Sequence, residues 1–313
     1  MRRSIGQRTT GRRTMKIAIK IFGKSSINTN QDGQNVQGDE MIALAWMKYL
    51  QNHGVQSSLF DRNDAPSSDF DAVIHFDLIT SSRWPGVKNI CYLQNAFPAH
   101  AWAGGTVGQF NLHKDKFDDF IFTSDTLRDN CETDGAVVQF AVDHEIYQSP
   151  DKRINGPKTY FVGNGIRSDE ENVRYLGPAI KHGLVIYGNG LGWSRQFTPC
   201  LKGKISVQDE VSLYQSTGIC MNHHMQEHVI HDTINFRIYC ALACGATIIS
   251  DKVKSLSGPF LDGVLLTDGH EHTDTLISNH NSNTNNSAID YILTYHTFAN
   301  RAVIVYDFLR SII

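Results

Sequence analysis

The sequence predicts an α/β protein with two Rossmann-like domains, each built on a doubly wound parallel sheet. The main observation is an alternation of short apolar segments, typical of buried parallel strands, with segments of helical spacing. This alternation runs through the chain twice, with a polar stretch between the two passes. A length of 313 residues also exceeds the usual size of one hydrophobic core, so two domains are expected.

The first domain is predicted over residues 15–142 and follows a basic extension over residues 1–14, which we expect to be disordered. One helix is predicted after Asp39, a residue that commonly caps helices. Strands are predicted at 15–23, 55–60, 70–76, 89–95, 118–124 and 136–142.

A linker is predicted over residues 143–156, a polar stretch that contains Pro150 and Gly156. The second domain is predicted over residues 157–285, with helices at 169–181 and 208–216. Its strands are predicted at 159–162, 184–188, 204–207, 218–224, 247–249 and 264–269. A terminal helix over about 288–309, within a final segment of residues 286–313, is expected to brace the two domains.

Composition and charge limit the partners of the protein. The formal net charge is −3, and because residues 1–14 contribute five arginines and no acid, the remainder carries −8. An acidic body argues against a nucleic-acid-binding surface, so no nucleic-acid partner is expected. No segment approaches the ~18 apolar residues of a membrane span, while peripheral association with a membrane is left open. Six scattered cysteines without a CxxC pair predict reduced core thiols in a cytoplasmic protein.

The run from Asn235 to Asp251 gives the first indication of a ligand site. An apolar helix in this run ends at Gly245, and a short apolar strand follows at once. The polar first turn, with Asn235 and Arg237, should therefore point out of the carboxyl edge of the sheet. Nucleotides and phosphates bind at that edge in open α/β folds. The run is therefore predicted to form one wall of a ligand site.

Six segments occur in one order along the chain: QGD (37–39), FAVD (140–143), YGNGLGW (187–193), CMNH (220–223), NFRIYCALACG (235–245) and HTFANRA (296–302). Together they resemble the GT-B glycosyltransferases, in particular the group of CgeB-type, spore-maturation-like proteins. The resemblance implies a GT-B fold, with an inter-domain cleft that binds the donor on the second domain and the acceptor on the first. It implies glycan biosynthesis by transfer of a sugar from a nucleotide-diphosphate sugar to a glycan, lipid-linked or protein acceptor. Protein cations would act in place of a metal ion, and the nucleotide sugar would be a co-substrate, with no other cofactor.

Three residues are predicted to take part in catalysis. Arg237 would stabilise the charge that develops on the leaving diphosphate, aided by the dipole of its helix. The resemblance places Asp232 at the donor sugar. Asp143 is a candidate for a general base on the acceptor side, and Asp39, His75 and Asp77 are alternatives to it.

The predicted donor-binding residues are those of the glycine-rich turns and the matching segments. They are Gly163, Asn164, Arg167, Gly188, Asn189, Gly190, Trp193, Asn222, His223, Asn235, Tyr239 and Cys240. Glycines allow close approach of the backbone to a ligand, although a plain tight turn explains them equally well. His224, His228 and His231 have the spacing of one helix face, but they follow a strand, so no metal ligand is predicted.

Position 240 leaves the activity open. The resemblance implies an acid there, which would hold the nucleotide ribose, and this chain has Cys240. One alternative is an epimerase or hydrolase on the same fold that acts on the nucleotide sugar without an acceptor. Another is a non-catalytic relative that binds a nucleotide or a carbohydrate. A two-lobed binding protein for small ligands would share the doubled strand–helix pattern.

Overall fold

A computed structural model of the protein describes residues 14–22, 38–65, 67–166, 168–188, 190–280 and 286–313. The predicted basic extension lies outside these ranges up to residue 13, as do residues 23–37. The described chain forms two parallel sheets, one from each half of the sequence. None of the described helices is both long and apolar enough to span a membrane.

The first sheet contains six parallel strands in the order β2-β1-β3-β4-β5-β6. They are β1 (Lys16–Ile21), β2 (Gln56–Asp61), β3 (Ala72–His75), β4 (Lys88–Leu93), β5 (Asp119–Phe122) and β6 (Ala136–Val137). The helices of this half are α1 (Gly38–Gln51), α2 (Gly105–His113) and α3 (Asp125–Asn130). The carboxyl edge of the sheet has its switch point between β1 and β3, where the strand order changes direction.

The second sheet contains five parallel strands in the order β11-β10-β9-β7-β8. They are β7 (Thr159–Val162), β8 (Leu184–Tyr187), β9 (Ile219–Asn222), β10 (Thr247–Ser250) and β11 (Val264–Leu266). The helices are α4 (Asp169–Ile180), α5 (Val207–Tyr214), α6 (Gln226–Ile230), α7 (Phe236–Ala243), α8 (His270–Ser278), α9 (Asn286–Tyr295) and α10 (Phe298–Ile312). Counted within its own half, each sheet has the strand order 2-1-3-4-5 over its first five strands. The predicted doubling of a Rossmann-like pattern is confirmed.

Apolar strands and helix faces form the cores, as the sequence predicts. Strands β3, β7 and β9 are buried along their whole length, because helices cover both faces of a parallel sheet. In the first half, Trp46 of α1 packs against Phe76 and Tyr92 with ring centroids 5.3 and 4.7 Å apart. In the second half, α7 is buried from Ile238 to its end. It lies between the sheet and α9.

The last two helices lie against different halves of the chain. Helix α9 packs on α7 of the second half, whereas α10 packs on α1 of the first. Between them, the backbone N–H of Val142 donates to the carbonyl of His296, and Phe298 donates its N–H to Val142, both at 2.9 Å. The segment between α9 and α10 is therefore hydrogen-bonded to the end of the first half of the chain.

Three predicted elements were wrong in extent or type. The strand predicted at 136–142 ends at Val137, because the chain then leaves the sheet to meet residues 296–298. The described residues 204–207 form no strand, and Ser206 caps α5 by accepting the N–H of Asp209 at 3.1 Å. The predicted terminal helix is two helices, because Thr297 starts α10 with a capping box to Asn300.

Candidate functional site

The carboxyl edge of the second sheet forms a crevice outside β7 and β9. The chain leaves β7 toward β8 on one side, and β9 lies on the other, so the switch point of this sheet is between β7 and β9. Gly163 directly follows β7, and Asn222 is the last residue of β9. In a parallel sheet these two positions lie side by side at the edge where ligands bind.

Arg237, in the first turn of α7, is fixed beside this crevice. Its guanidinium carbon lies 4.1 Å from the centroid of the Phe161 ring. Its Nε donates to the carbonyl of Val162 and its Nη1 donates to Oδ1 of Asn222, both at 2.6 Å. These bonds use two of the five N–H donors of a guanidinium. The side chain is thus held in place by the sheet edge and still has donors with which to bind an anion.

Asn222 is the centre of a side-chain network at the same edge. Besides Arg237, its Oδ1 accepts from Nδ2 of Asn235, the residue before α7, at 2.8 Å. Its Nδ2 donates to Oγ of Ser250 at the end of β10, also at 2.8 Å. The network links three elements, so the positions of Arg237 and Asn235 are set by the sheet itself. Within the described chain, Oδ1 of Asn235 is buried without a hydrogen-bond partner.

His224 and Asp251 form a buried pair just beyond Asn222 and Ser250. The imidazole Nδ1 and a carboxylate oxygen are 2.7 Å apart, and the backbone N–H of His224 donates to both carboxylate oxygens at 3.0 Å. Burial acts to raise the pKa of Asp251, but the charge and hydrogen bonds of His224 outweigh it and lower that pKa to about 2. Asp251 is therefore an ionised carboxylate that orients the imidazole.

The two glycine-bearing turns pack on each other. The N–H of Gly165 donates to the carbonyl of Leu191 at 2.9 Å, and a Cβ at Gly165 would lie 2.6 Å from the Trp193 ring. A Cβ at Gly188 would collide with the carbonyl oxygen of Gly163. Gly165 and Gly188 are therefore required for contact between the loops, whereas the sequence suggested contact with a ligand. At Gly190, a Cβ would meet no atom within 4 Å.

Residues 170–306 match the model of a family described as glycosyl transferase-like. Among solved structures, the chain is similar to AviGT4, a glycosyltransferase involved in avilamycin A biosynthesis, with 13% identity and a TM-score of 0.65 over 95% of this chain and 97% of that one. It is also similar to sucrose-phosphate synthase from Thermosynechococcus elongatus, with 10% identity and a TM-score of 0.64 over 95% and 99%. The protein has the GT-B fold of glycosyltransferases. No curated protein sequence matches the chain.

The predicted GT-B fold is thereby confirmed, and the narrower resemblance to the CgeB-type group stays a prediction. Of the predicted site residues, this GT-B structure brings Gly163, Asn222, Asn235 and Arg237 into direct contact at the switch point. Asn164 lies beside them, since its Oδ1 would be 3.6 Å from a Cβ on Gly188. Arg167 and Asn189, both predicted to bind the donor, lie outside the described residues.

Three predicted site residues of the second half contact other side chains of the protein near this edge. The His223 ring stacks between Phe161 and Tyr175. The ring of Trp193 packs edge-on against Phe161, with centroids 5.5 Å apart. Asp232 accepts from both the N–H and the Oγ of Ser255 at 2.7 Å. The structure therefore shows protein contacts for all three side chains.

Tyr239, Cys240 and Asp143 are buried residues. Tyr239 and Cys240 belong to α7, and their side chains lie in the hydrophobic core. Burial raises the pKa of the Cys240 thiol well above its ordinary value of 9.0. Asp143 accepts from Nζ of Lys48 at 3.1 Å and from the hydroxyl of Tyr49 at 2.7 Å, in the last turn of α1. That turn lies about 15 Å along α1 from its first residue, so Asp143 is placed behind the sheet edge.

The segment after β9 also contacts the first half of the chain directly. A carboxylate oxygen of Glu227, in α6, accepts the backbone N–H of Thr106 in the first turn of α2 at 2.9 Å. Nε2 of His231 lies 3.2 Å from the same carboxylate oxygen. A Cβ at Gly105 would lie 2.6 Å from Glu227, so glycine there permits the contact. The two halves therefore meet where the segment after β9 crosses to α2.

Sequence reasoning did not select Asp251, and it considered His224 and Glu227 only within a group of possible metal ligands, of which a single histidine could contact the donor instead. A usable signal was present for His224 and Asp251, because His224 ends the predicted strand at 218–224 and Asp251 closely follows the one at 247–249. Polar residues at the carboxyl ends of adjacent parallel strands come together. Among the described residues, no three His, Cys, Asp or Glu side chains are grouped as ligands of a metal ion.

Proposed function

We propose that the protein is a glycosyltransferase that moves a sugar from a nucleotide-diphosphate sugar to an acceptor. The observation that carries the proposal is the fixed position of Arg237 at the switch point of the second sheet. The match of residues 170–306 to a glycosyl transferase-like family supports the same reaction. A guanidinium held in this way suits a diphosphate, because it offers several N–H donors to its oxygens at a defined distance.

The reaction needs stabilisation of the leaving group. When the bond between the anomeric carbon of the sugar and the phosphate oxygen breaks, the diphosphate gains negative charge. Arg237 and the N-terminal end of α7 oppose that charge, and because the side chain is already oriented, little reorganisation is needed. In this proposal protein cations do the work of a metal ion, and the acceptor enters from the side of the first sheet.

The proposed acceptor is a glycan, a lipid-linked sugar or a protein side chain. The acceptor hydroxyl forms the new bond to the anomeric carbon, and its proton passes to a base or to water. Asp39 and Asp77 lie near the carboxyl edge of the first sheet, and burial raises the pKa of Asp39 above its ordinary value of 3.8. A raised pKa makes the Asp39 carboxylate a stronger base than an ordinary aspartate.

The test is a panel of UDP-glucose, UDP-N-acetylglucosamine, GDP-mannose, ADP-glucose and dTDP-glucose, measured by thermal shift and by release of free nucleotide in the presence of EDTA. We expect one nucleotide class to stabilise the wild-type protein and Arg237→Ala to lose that stabilisation. Arg310→Ala, which changes an exposed arginine of α10, is the matched control. Stabilisation by none of the five donors would count against the proposal. Release of nucleotide that is independent of added acceptors would instead favour a nucleotide-sugar hydrolase.

A further inference from the structure

The sugar end of the proposed donor site needs a residue that binds hydroxyl groups. The resemblance gave this role to Asp232, but both carboxylate oxygens of Asp232 are occupied by Ser255 at 2.7 Å. Asp232 also has a φ of 53°, an uncommon conformation for a residue other than glycine, which fixes its direction. With both oxygens of Asp232 turned toward Ser255, a hydroxyl contact from another side chain at this edge is favoured.

His224 meets the requirements of such a contact. Its side chain is 1% exposed, and within the described chain its Nε2 has no hydrogen-bond partner. A buried polar atom without a partner is costly, and in native structures it commonly belongs to a functional site. Nδ1 is already engaged by Asp251 at 2.7 Å, so Nε2 is the ring atom that can bind a ligand.

The geometry also places His224 correctly relative to Arg237. A continuous series of hydrogen bonds runs from Arg237 through Asn222 and Ser250 to Asp251 and His224. His224 is two residues beyond Asn222, the last residue of β9, so the two positions are at most roughly 7 Å apart along the chain. A group bound at His224 would therefore be the neighbour of a diphosphate bound at Arg237.

The two ends of this hydrogen-bond series differ in charge. The Arg237 end carries a cation and suits the diphosphate, whereas the His224 end carries the carboxylates of Asp251 and, close by in α6, Glu227. Two carboxylates disfavour a phosphate and favour neutral hydroxyl groups. An ionised carboxylate only accepts hydrogen bonds, so Nδ1 of His224 donates to Asp251 and Nε2 is the ring nitrogen left to bind a hydroxyl group.

We propose that Nε2 of His224 forms a hydrogen bond with a hydroxyl of the donor sugar and that Asp251 is the positioning residue that fixes the orientation of the imidazole. This inference rests on the proposed transferase function. It assigns recognition of the sugar to a His–Asp pair at the ends of β9 and β10, next to recognition of the diphosphate by Arg237.

The test compares two ligands in one titration series: the nucleotide sugar of the panel that gives the largest thermal shift, and its nucleoside diphosphate without the sugar. His224→Ala is expected to weaken binding of the nucleotide sugar about tenfold, since a buried hydrogen bond is lost, and to leave the Kd of the nucleoside diphosphate unchanged. His224→Gln, which keeps an acceptor, should restore part of the loss and replaces the alanine variant if that variant does not fold. His272→Ala, at an exposed position of α8, is the control.

The positioning role of Asp251 is tested by measuring the ring nitrogens of His224. Nitrogen-15 NMR of the wild-type protein should show a hydrogen-bonded proton on Nδ1 of His224, and Asp251→Asn should change that Nδ1 signal and weaken binding of the nucleotide sugar only. Equal weakening of both ligands by His224→Ala would overturn the inference, because His224 would then contact the diphosphate or act on the fold. Unchanged binding of both would overturn it as well. A wild-type protein that binds neither ligand would overturn the proposed function itself.

Discussion

The guanidinium of Arg237 lies directly against the backbone of Gly163. A Cβ on Gly163 would be 2.5 Å from Nη2 of Arg237, closer than real Cβ contacts come. Gly163 also has a φ of 151°, in the range that favours glycine. The turn after β7 therefore packs closely against the first turn of α7, although Gly163 and Arg237 are 74 positions apart in sequence. Glycine at this position allows the arginine to reach the sheet edge.

Gly163→Ala is therefore expected to displace Arg237 while the protein remains folded. Loss of the charge-assisted hydrogen bonds should weaken nucleoside diphosphate binding by roughly tenfold or more. The measurement is a calorimetric titration, with circular dichroism to verify folding. Gly177→Ala in α4 is the control, because its Cβ would meet only Val173 at 3.7 Å. It should stabilise the helix by about 0.5–1 kcal/mol and leave binding unchanged. Wild-type affinity in Gly163→Ala would contradict the proposed role of Arg237.

Glu227→Ala should lower the free energy of unfolding by about 2 kcal/mol, because the buried N–H of Thr106 and the ring of His231 lose a charged acceptor. Urea denaturation at neutral pH provides the measurement. Glu271→Ala, in the exposed first turn of α8, should change the same quantity by less than about 0.5 kcal/mol. Equal effects of the two substitutions would show that the contact between the halves contributes little.

The free energy of unfolding should fall toward acid pH, because burial lowers the pKa of histidines in the folded protein. Burial, and to a smaller extent the charge of Arg301, lowers the pKa of His296 from 6.5 to about 4. Between these values the unfolded chain binds the proton and the folded chain does not, so this contribution is complete above pH 6.5 and is lost as the pH falls toward 4. One such group gives a slope of about 1.4 kcal/mol per pH unit in this window.

His296→Gln should therefore flatten the decline of the urea midpoint between pH 6.5 and pH 4. It will not abolish the decline, because burial also lowers the pKa of His75 to about 4. His100→Gln, at an exposed position, is the control and should leave the slope unchanged. A slope equal to that of the wild type in His296→Gln would contradict the assignment.

The sequence was sufficient to predict most strands of both sheets, because buried parallel strands are short apolar runs bounded by polar residues. It was insufficient for α2 and α8. Helix α2 begins with Gly105 and is preceded by Gly104, which has a φ of 75°, so local sequence suggests only a turn. Helix α8 opens with the polar residues HEHTD and has few apolar positions. Tertiary packing on α4 stabilises it.

The site was predictable to the extent that it follows strand ends. Asn222, Asn235 and Arg237 could be selected because they flank a strand and a helix at the carboxyl edge. His224 and Asp251 also end or follow predicted strands, but their contact could not be predicted, since it joins positions 27 residues apart and requires β9 and β10 to be neighbours. Cys240 lies only about 4.5 Å further along the axis of α7 than Arg237. The sequence pattern does not show which residues of α7 face the ligand site and which lie in the core. Cys240 lies in the core.

Glu210 of α5 is buried against α7, near tyrosines that include Tyr147 and Tyr214, and it forms no ion pair with any cation in the described part of the chain. Burial raises its pKa above the ordinary value of 4.5, while Tyr214, Arg237 and Tyr147 oppose part of that shift. An acid with a raised folded-state pKa contributes stability that is fully present below the unfolded pKa and is lost as pH rises through the folded pKa. Glu210→Gln, which cannot ionise, should therefore gain stability relative to the wild type as pH rises from 4.5 to 8.

The measurement is the urea midpoint of both proteins at several pH values in that range. Asp209→Asn is a matched control, because Asp209 is the exposed neighbour of Glu210 in α5 and should show no comparable rise. If the difference between Glu210→Gln and the wild type stayed constant across the range, Glu210 would be ionised to the same extent in the folded and unfolded chains. The carboxylate would then be charged at neutral pH and would offset part of the positive charge of Arg237, so the same titration also reports how much of that charge is available to a diphosphate.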